Sequence, residues 1–125
     1  MPLVRISGAY APSALRALGD VVHDALVSTV GIPPADRFQV LDSLPADGIN
    51  ADPAYLDIAR ERPVFVEVTL RAGRSQEIKR AFYRAVADGA QERAGIRRED
   101  ILITLHENAA GDWSFGNGVA QYDPG

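Results

Sequence analysis

The sequence predicts an α+β fold: two β-α-β units in tandem, joined into one four-stranded sheet with two helices on one face. Three observations predict it. Gly31-Ile32 followed by Asp36 recurs as Gly95-Ile96 followed by Asp100, an offset of 64 in each case. A helix-like apolar stripe precedes each Gly-Ile pair, and a strand-like stretch precedes each stripe. The chain has 125 residues with 46% hydrophobic content, which suits a single domain able to bury a real core.

The first unit covers residues 2–41. Its opening strand is Pro2 to Ser7, and its helix opens near Pro12-Ser13, where proline suits the first turn. Leu15, Leu18, Val22, Leu26 and Val30 follow at steps of three or four, and Gly31 is a natural stop. Phe38 to Leu41 is a short second strand. Residues 44–62 form a polar connector with Pro45, Gly48 and Pro53, and a helical turn is expected at Pro53 to Arg60.

The second unit, residues 63–106, repeats the pattern more strongly. Val64 to Leu70 is rich in β-branched and aromatic residues. Ser75 is an N-cap, Ile78, Phe82, Val86 and Ala90 form the apolar stripe, and Gly95 ends it. Ile101 to Leu105 is nearly continuous apolar sequence and is expected in the buried middle of the sheet. Residues 107–125 form a glycine-rich tail whose Trp113, Phe115, Val119 and Tyr122 are expected to pack on the rest. Strands within a unit are parallel through a right-handed crossover. With both helices on one face, the other face of the sheet needs cover, and an oligomer partner is its simplest source.

Several function classes fall away. A net charge of −4 with scattered basic residues argues against nucleic acid as a partner. No run of 18 apolar residues offers a membrane span, no signal-peptide pattern opens the chain, and a cytoplasmic setting fits. Cysteine is absent, so thiolate chemistry and disulfides are excluded. His23 and His106 have no third ligand at close spacing, which argues against a metal site. Ser7, Ser13 and Ser114 lack a nucleophile elbow.

Four features carry chemistry. Removal of Met1 would leave Pro2 with a free secondary amine, which titrates near ~8 when unperturbed and can serve as base or acid. With Met1 retained, Pro2 is an ordinary residue at the start of a strand. Arg71-Ala72-Gly73-Arg74-Ser75 joins a strand to a helix, where backbone N–H groups and two guanidinium groups favour a carboxylate; the alternative is a solvated loop. Trp113 and Phe115 alternate, so an extended segment would put both on one face as a pocket wall or as a plug for the tail. Asp36 could assist a proton shift, although its repeat mate Asp100 occupies the matching place and simple turn capping explains both.

These residues together resemble the tautomerase superfamily, and within it the malonate semialdehyde decarboxylase group. The resemblance runs through Met1-Pro2-Leu3, Asp36-Arg37-Phe38-Gln39, Gly73-Arg74-Ser75 with Lys79, Gly95-Ile96 with Asp100, Glu107-Asn108, Trp113-Ser114-Phe115-Gly116 and Ala120-Gln121-Tyr122. It implies a homotrimer, no cofactor and a small oxo-carboxylate substrate. It implies Pro2 as catalytic amine, Asp36 as assisting acid, and Arg74 with Arg71 as carboxylate binders. Trp113, Phe115 and Tyr122 would be the aromatic wall, Tyr122 standing where decarboxylases carry Phe. One departure stands out. The two arginines are separated by Ala72-Gly73 rather than by a single Pro, a spacing like that of cis-3-chloroacrylic acid dehalogenases. Their first-helix histidine is unmatched, since His23 lies about one turn away. The alternatives are a promiscuous keto–enol tautomerase or hydratase, and a non-catalytic trimeric binding protein.

Overall fold

The computed structural model of the protein describes residues 1–125. Strand β1 (Leu3–Gly8), helix α1 (Pro12–Ala25) and strand β2 (Phe38–Ser43) form the first unit. Strand β3 (Val64–Arg71), helix α2 (Gln76–Gly89) and strand β4 (Ile101–Asn108) form the second. Each unit pairs its own strands in parallel. Strands β1 and β3 meet antiparallel at the centre, giving the order β2-β1-β3-β4.

The offset of 64 holds residue by residue. The bounds of α2 lie 64 positions beyond those of α1, and each helix runs on into a π-type turn, Leu26–Val30 and Ala90–Ala94. Both turns stop at a glycine in the left-handed region, Gly31 at φ 84° and Gly95 at φ 64°, where other residues are disfavoured. Val4 and Val68, themselves 64 apart, face each other across the central ladder. The internal two-fold axis passes between them.

Period-two alternation builds the core. Val4 and Ile6 of β1 and Val64, Val66, Val68 and Leu70 of β3 are buried against the helices. They meet Leu15, Leu18, Val22 and Leu26 from the first helix and Phe82, Val86 and Ala90 from the second. Burying a side chain such as Phe82 is worth about 1.5–3 kcal/mol. The N-terminus of α1 uses Pro12 as expected, and the Ser75 hydroxyl accepts from the Ile78 amide at 3.2 Å to cap α2.

Two expectations need correction. Strand β4 is not in the middle of the sheet but at its edge. It is apolar on both sides for separate reasons: Ile103 and Leu105 lean on the helix core, while Leu102 points to the open face and is 46% exposed. In the connector, the helical turn is only Tyr55–Asp57. Leu56 and Asp57 have positive φ there, and the Arg60 side chain pins the turn by donating to the carbonyls of Tyr55 and Ile58. The open face of the sheet carries Leu3, Phe38, Val40 and Leu102 beside Arg5 and Glu67, and these four apolar side chains stay exposed, although the tail's Phe115 touches Phe38 at one end.

Candidate active site

At one end of the sheet β1 and β2 begin while β3 and β4 finish. The ladder sets Leu3 opposite both Phe38 and Thr69, and Arg71 opposite Asn108. Asp36 closes the turn before β2, its amide donating to the Pro33 carbonyl at 3.0 Å. From there it forms an ion pair through Oδ2 with the N-terminal amine, and both side chains are nearly buried. With Met1 in place that amine belongs to Met1, and the nitrogen of Pro2 is an amide without basicity.

The amine is electrostatically unusual. Burial, then the charges of Arg74 and Arg71, lower it from its ordinary 8.0 to about 6. The ion-paired Asp36 carboxylate favours the protonated form of the same nitrogen. Opposing influences on one nitrogen bring its proton exchange toward neutral pH, where an amine can serve as acid or base.

The arginine turn is held from three sides. Arg74 Nη1 donates to the Arg71 carbonyl at 3.0 Å, which folds its guanidinium back over the turn. The Ala72 amide donates to the Asn108 carbonyl at 2.8 Å. Lys79, on the first turns of α2, reaches the Glu107 carboxylate at 2.8 Å. That hydrogen bond, together with the Lys79 charge, the Gly73 amide and Arg74, holds the Glu107 carboxyl below its usual range against partial desolvation.

The tail supplies the aromatics. Phe115 stacks on Trp113 with centroids 5.5 Å apart and planes 8° from parallel. It meets Tyr122 edge-on at 5.1 Å and touches Phe38 at 5.8 Å. The Arg71 guanidinium carbon lies 5.7 Å from the Tyr122 ring centroid, joining the aromatic group to the arginine turn. Gln121 fixes the loop by accepting from the Phe115 amide and donating to the Gly116 carbonyl. The Trp113 indole donates to Asn108 Oδ1 at 2.7 Å.

Asp36 thus pairs with the terminal amine, the charges of Arg74 and Arg71 act on it, and Trp113, Phe115 and Tyr122 form one cluster tied to Arg71. Asp100 separates from its repeat mate. It is buried at the opposite end of the sheet, where its Oδ1 accepts from the amides of Glu61 and Arg62 at 2.8 and 3.0 Å. His23 is buried and donates from Nε2 to the Pro34 carbonyl at 2.8 Å, and His106 lies apart on the open sheet face. The largest cavity, about 580 Å³, is also at the far end, among Tyr10, Leu44, Ile49, Arg62 and Pro63. None of the charged groups around the amine lines it. Sequence reasoning missed Phe38 as a fourth aromatic, because its repeat mate Leu102 made it look like an ordinary strand residue. It also gave Glu107, Asn108 and Gln121 no role, since their signal lies in contacts across the fold.

Family models described as tautomerase enzyme match residues 36–116 and residues 2–56. The chain belongs to the tautomerase superfamily. A probable tautomerase of Bacillus subtilis (strain 168), YusQ, is 35% identical over 108 residues, covering 86% of this chain and 85% of its own. The tautomerase fold also aligns with a malonate semialdehyde decarboxylase inhibited by 3-bromopropiolate, at a TM-score of 0.90 and 38% identity over 96% of this chain and 93% of that one. A malonate semialdehyde decarboxylase described with decarboxylase and hydratase activities aligns at 0.88 and 29% identity, over 96% and 95% of the two chains. Within the superfamily, the chain falls in the malonate semialdehyde decarboxylase-like group.

Proposed function

We propose that this protein is a cofactor-independent enzyme acting on small 2-oxo or 3-oxo carboxylates, with decarboxylation of a 3-oxo acid as its leading reaction. The observation that carries this reading is the largely buried terminal amine that pairs with Asp36 while burial and the charges of Arg74 and Arg71 lower it to about 6. Removal of Met1 passes the role to Pro2, whose ring nitrogen becomes a secondary amine. A trans peptide step is about 3.8 Å, so the new amine stays at the same end of the sheet, within reach of the same charges.

The chemistry follows from those groups. Arg74, with Arg71, holds the substrate carboxylate, and the unprotonated amine adds to the carbonyl carbon. Loss of water leaves an iminium ion. As the carbon–carbon bond to the carboxylate breaks, its electron pair moves into the iminium and carbon dioxide departs. Protonation of the enamine and hydrolysis by water release the aldehyde and restore the amine. In this reading Asp36 relays protons at the nitrogen, which its ion pair with the terminal amine supports. The aromatic group around Phe115 keeps water from the reacting atoms.

The spacing of Arg71 and Arg74 favours a second reading, keto–enol tautomerisation or hydration, in which the same amine moves a proton without forming an iminium. The open sheet face, with Leu3, Phe38, Val40 and Leu102, supports assembly as a homotrimer in which neighbouring copies cover it. The test is an assay of the processed enzyme and a Pro2→Ala variant on malonate semialdehyde and phenylenolpyruvate side by side. Loss of about a hundredfold or more in the variant is expected on the preferred substrate. Equal rates, or a native mass that still includes Met1 in an active preparation, would remove Pro2 from the mechanism.

A further inference from the structure

The two halves of the candidate site come from distant parts of the chain. The arginine turn lies between β3 and α2, and the aromatic wall lies in the tail. Both are fastened to the end of β4, the turn through Glu107 and Asn108 and the wall through Asn108. Asn108 accepts the Ala72 amide on its backbone carbonyl at 2.8 Å and the Trp113 indole on its side-chain Oδ1 at 2.7 Å. Glu107 binds Lys79 at 2.8 Å, and Lys79 sits in the helix that the arginine turn opens, its amide donating to the Ser75 carbonyl. Backbone pairing with β3 gives both residues a fixed base, since Leu70 and Arg71 face Glu107 and Asn108 across the ladder.

We propose that Glu107 and Asn108 form a positioning unit that sets the distance between the carboxylate-binding turn and the aromatic wall. Neither residue touches the reacting atoms. Glu107 fixes the turn through Lys79, and Asn108 fixes the wall through Trp113 while its main chain holds Ala72. The inference rests on the reading of the site given above, because it assigns these residues to the turn that takes the substrate carboxylate. It also accounts for the use of Asn at position 108: its side chain offers an oxygen to an indole that has only a donor.

Trp113 is the only tryptophan, so its emission reports the Asn108 contact directly. Malonate is a suitable probe, being small, carboxylated and unreactive. The experiment titrates malonate into the wild-type protein and into Asn108→Leu, Asn108→Asp and Glu107→Gln variants, following Trp113 emission and, separately, calorimetry. A net hydrogen bond of about 0.5–1.5 kcal/mol corresponds to roughly a two- to tenfold change in affinity. The Asn108→Leu variant should therefore shift unliganded Trp113 emission and weaken malonate binding by about that factor. Asn108→Asp keeps an acceptor and should restore both. Glu107→Gln should weaken malonate binding without moving the unliganded emission. In turnover, KM should rise in Asn108→Leu and Glu107→Gln with kcat largely kept. Wild-type affinity and emission in Asn108→Leu would overturn the proposal, as would failure of Asn108→Asp to restore them. Failure of the wild-type protein itself to bind malonate would instead sink the reading of the carboxylate site, and the positioning role with it.

Discussion

At the scale of single residues, the chain has only two amines, the terminus and Lys79, because it contains one lysine. Lys79 is committed to Glu107, while the terminal amine is lowered to about 6. An amine-selective acylating reagent at pH 7 should therefore modify the terminus first, with a rate that rises with pH through a midpoint near 6. Arg74→Ala removes a charge that opposes protonation, so its midpoint should move up toward 8; mass spectrometry of the labelled chain reads both. Stability follows the same sign. The unfolded amine takes its proton near 8.0 and the folded one near 6, so this group's contribution is complete above 8 and is lost as pH falls toward 6.

Asp36 and Asp100 show where residue-level reading of the sequence stopped. Their matching positions suggested one shared role, yet they have separate surroundings. Asp100 holds two connector amides and lies 3.5 Å from Arg97. Removing it takes the acceptor from two partly buried amides and the counter-charge from Arg97, so Asp100→Ala should cost about 1–3 kcal/mol in denaturant unfolding. Asp36→Asn should leave stability within about 1 kcal/mol and act on turnover instead. The repeat marked both positions; only three-dimensional neighbours separate a strut from the partner of the terminal amine.

At the scale of elements, the helices and their stops were legible because apolar stripes at helical spacing and a terminal glycine are local signals. The position of β4 was not, since a strand's own residues do not say whether a neighbour lies on both sides. Helix contact was equally invisible. A Cβ at Gly89 would stand 2.6 Å from Val21 Cγ1, so α1 and α2 cross closely there. Gly89→Ala gains up to ~1 kcal/mol in helix propensity but meets a clash of about 1–3 kcal/mol. A net loss in thermal or denaturant unfolding is expected, and a stabilised variant would show that the helices can move apart.

At the scale of the whole molecule, the strand pairing explains why the site lies where it does. A β-α-β repeat in this order brings the chain's start beside the finish of β3, and hence beside Arg71. The same pairing leaves one sheet face uncovered. If copies meet through that face, Leu102→Glu, which places a charge there without touching the helix core, should shift sedimentation in analytical ultracentrifugation toward single chains. An unchanged sedimentation coefficient would mean that copies do not meet through this face.

The internal two-fold axis has a consequence for stoichiometry. A duplicated chain has two equivalent sheet ends but only one beginning, so the second end can never present a terminal amine. That second end is free for other uses, and Asp100, which accepts two connector amides there, illustrates one of them. Active-site titration should accordingly count one reacting amine per 125 residues, however symmetric the scaffold around it.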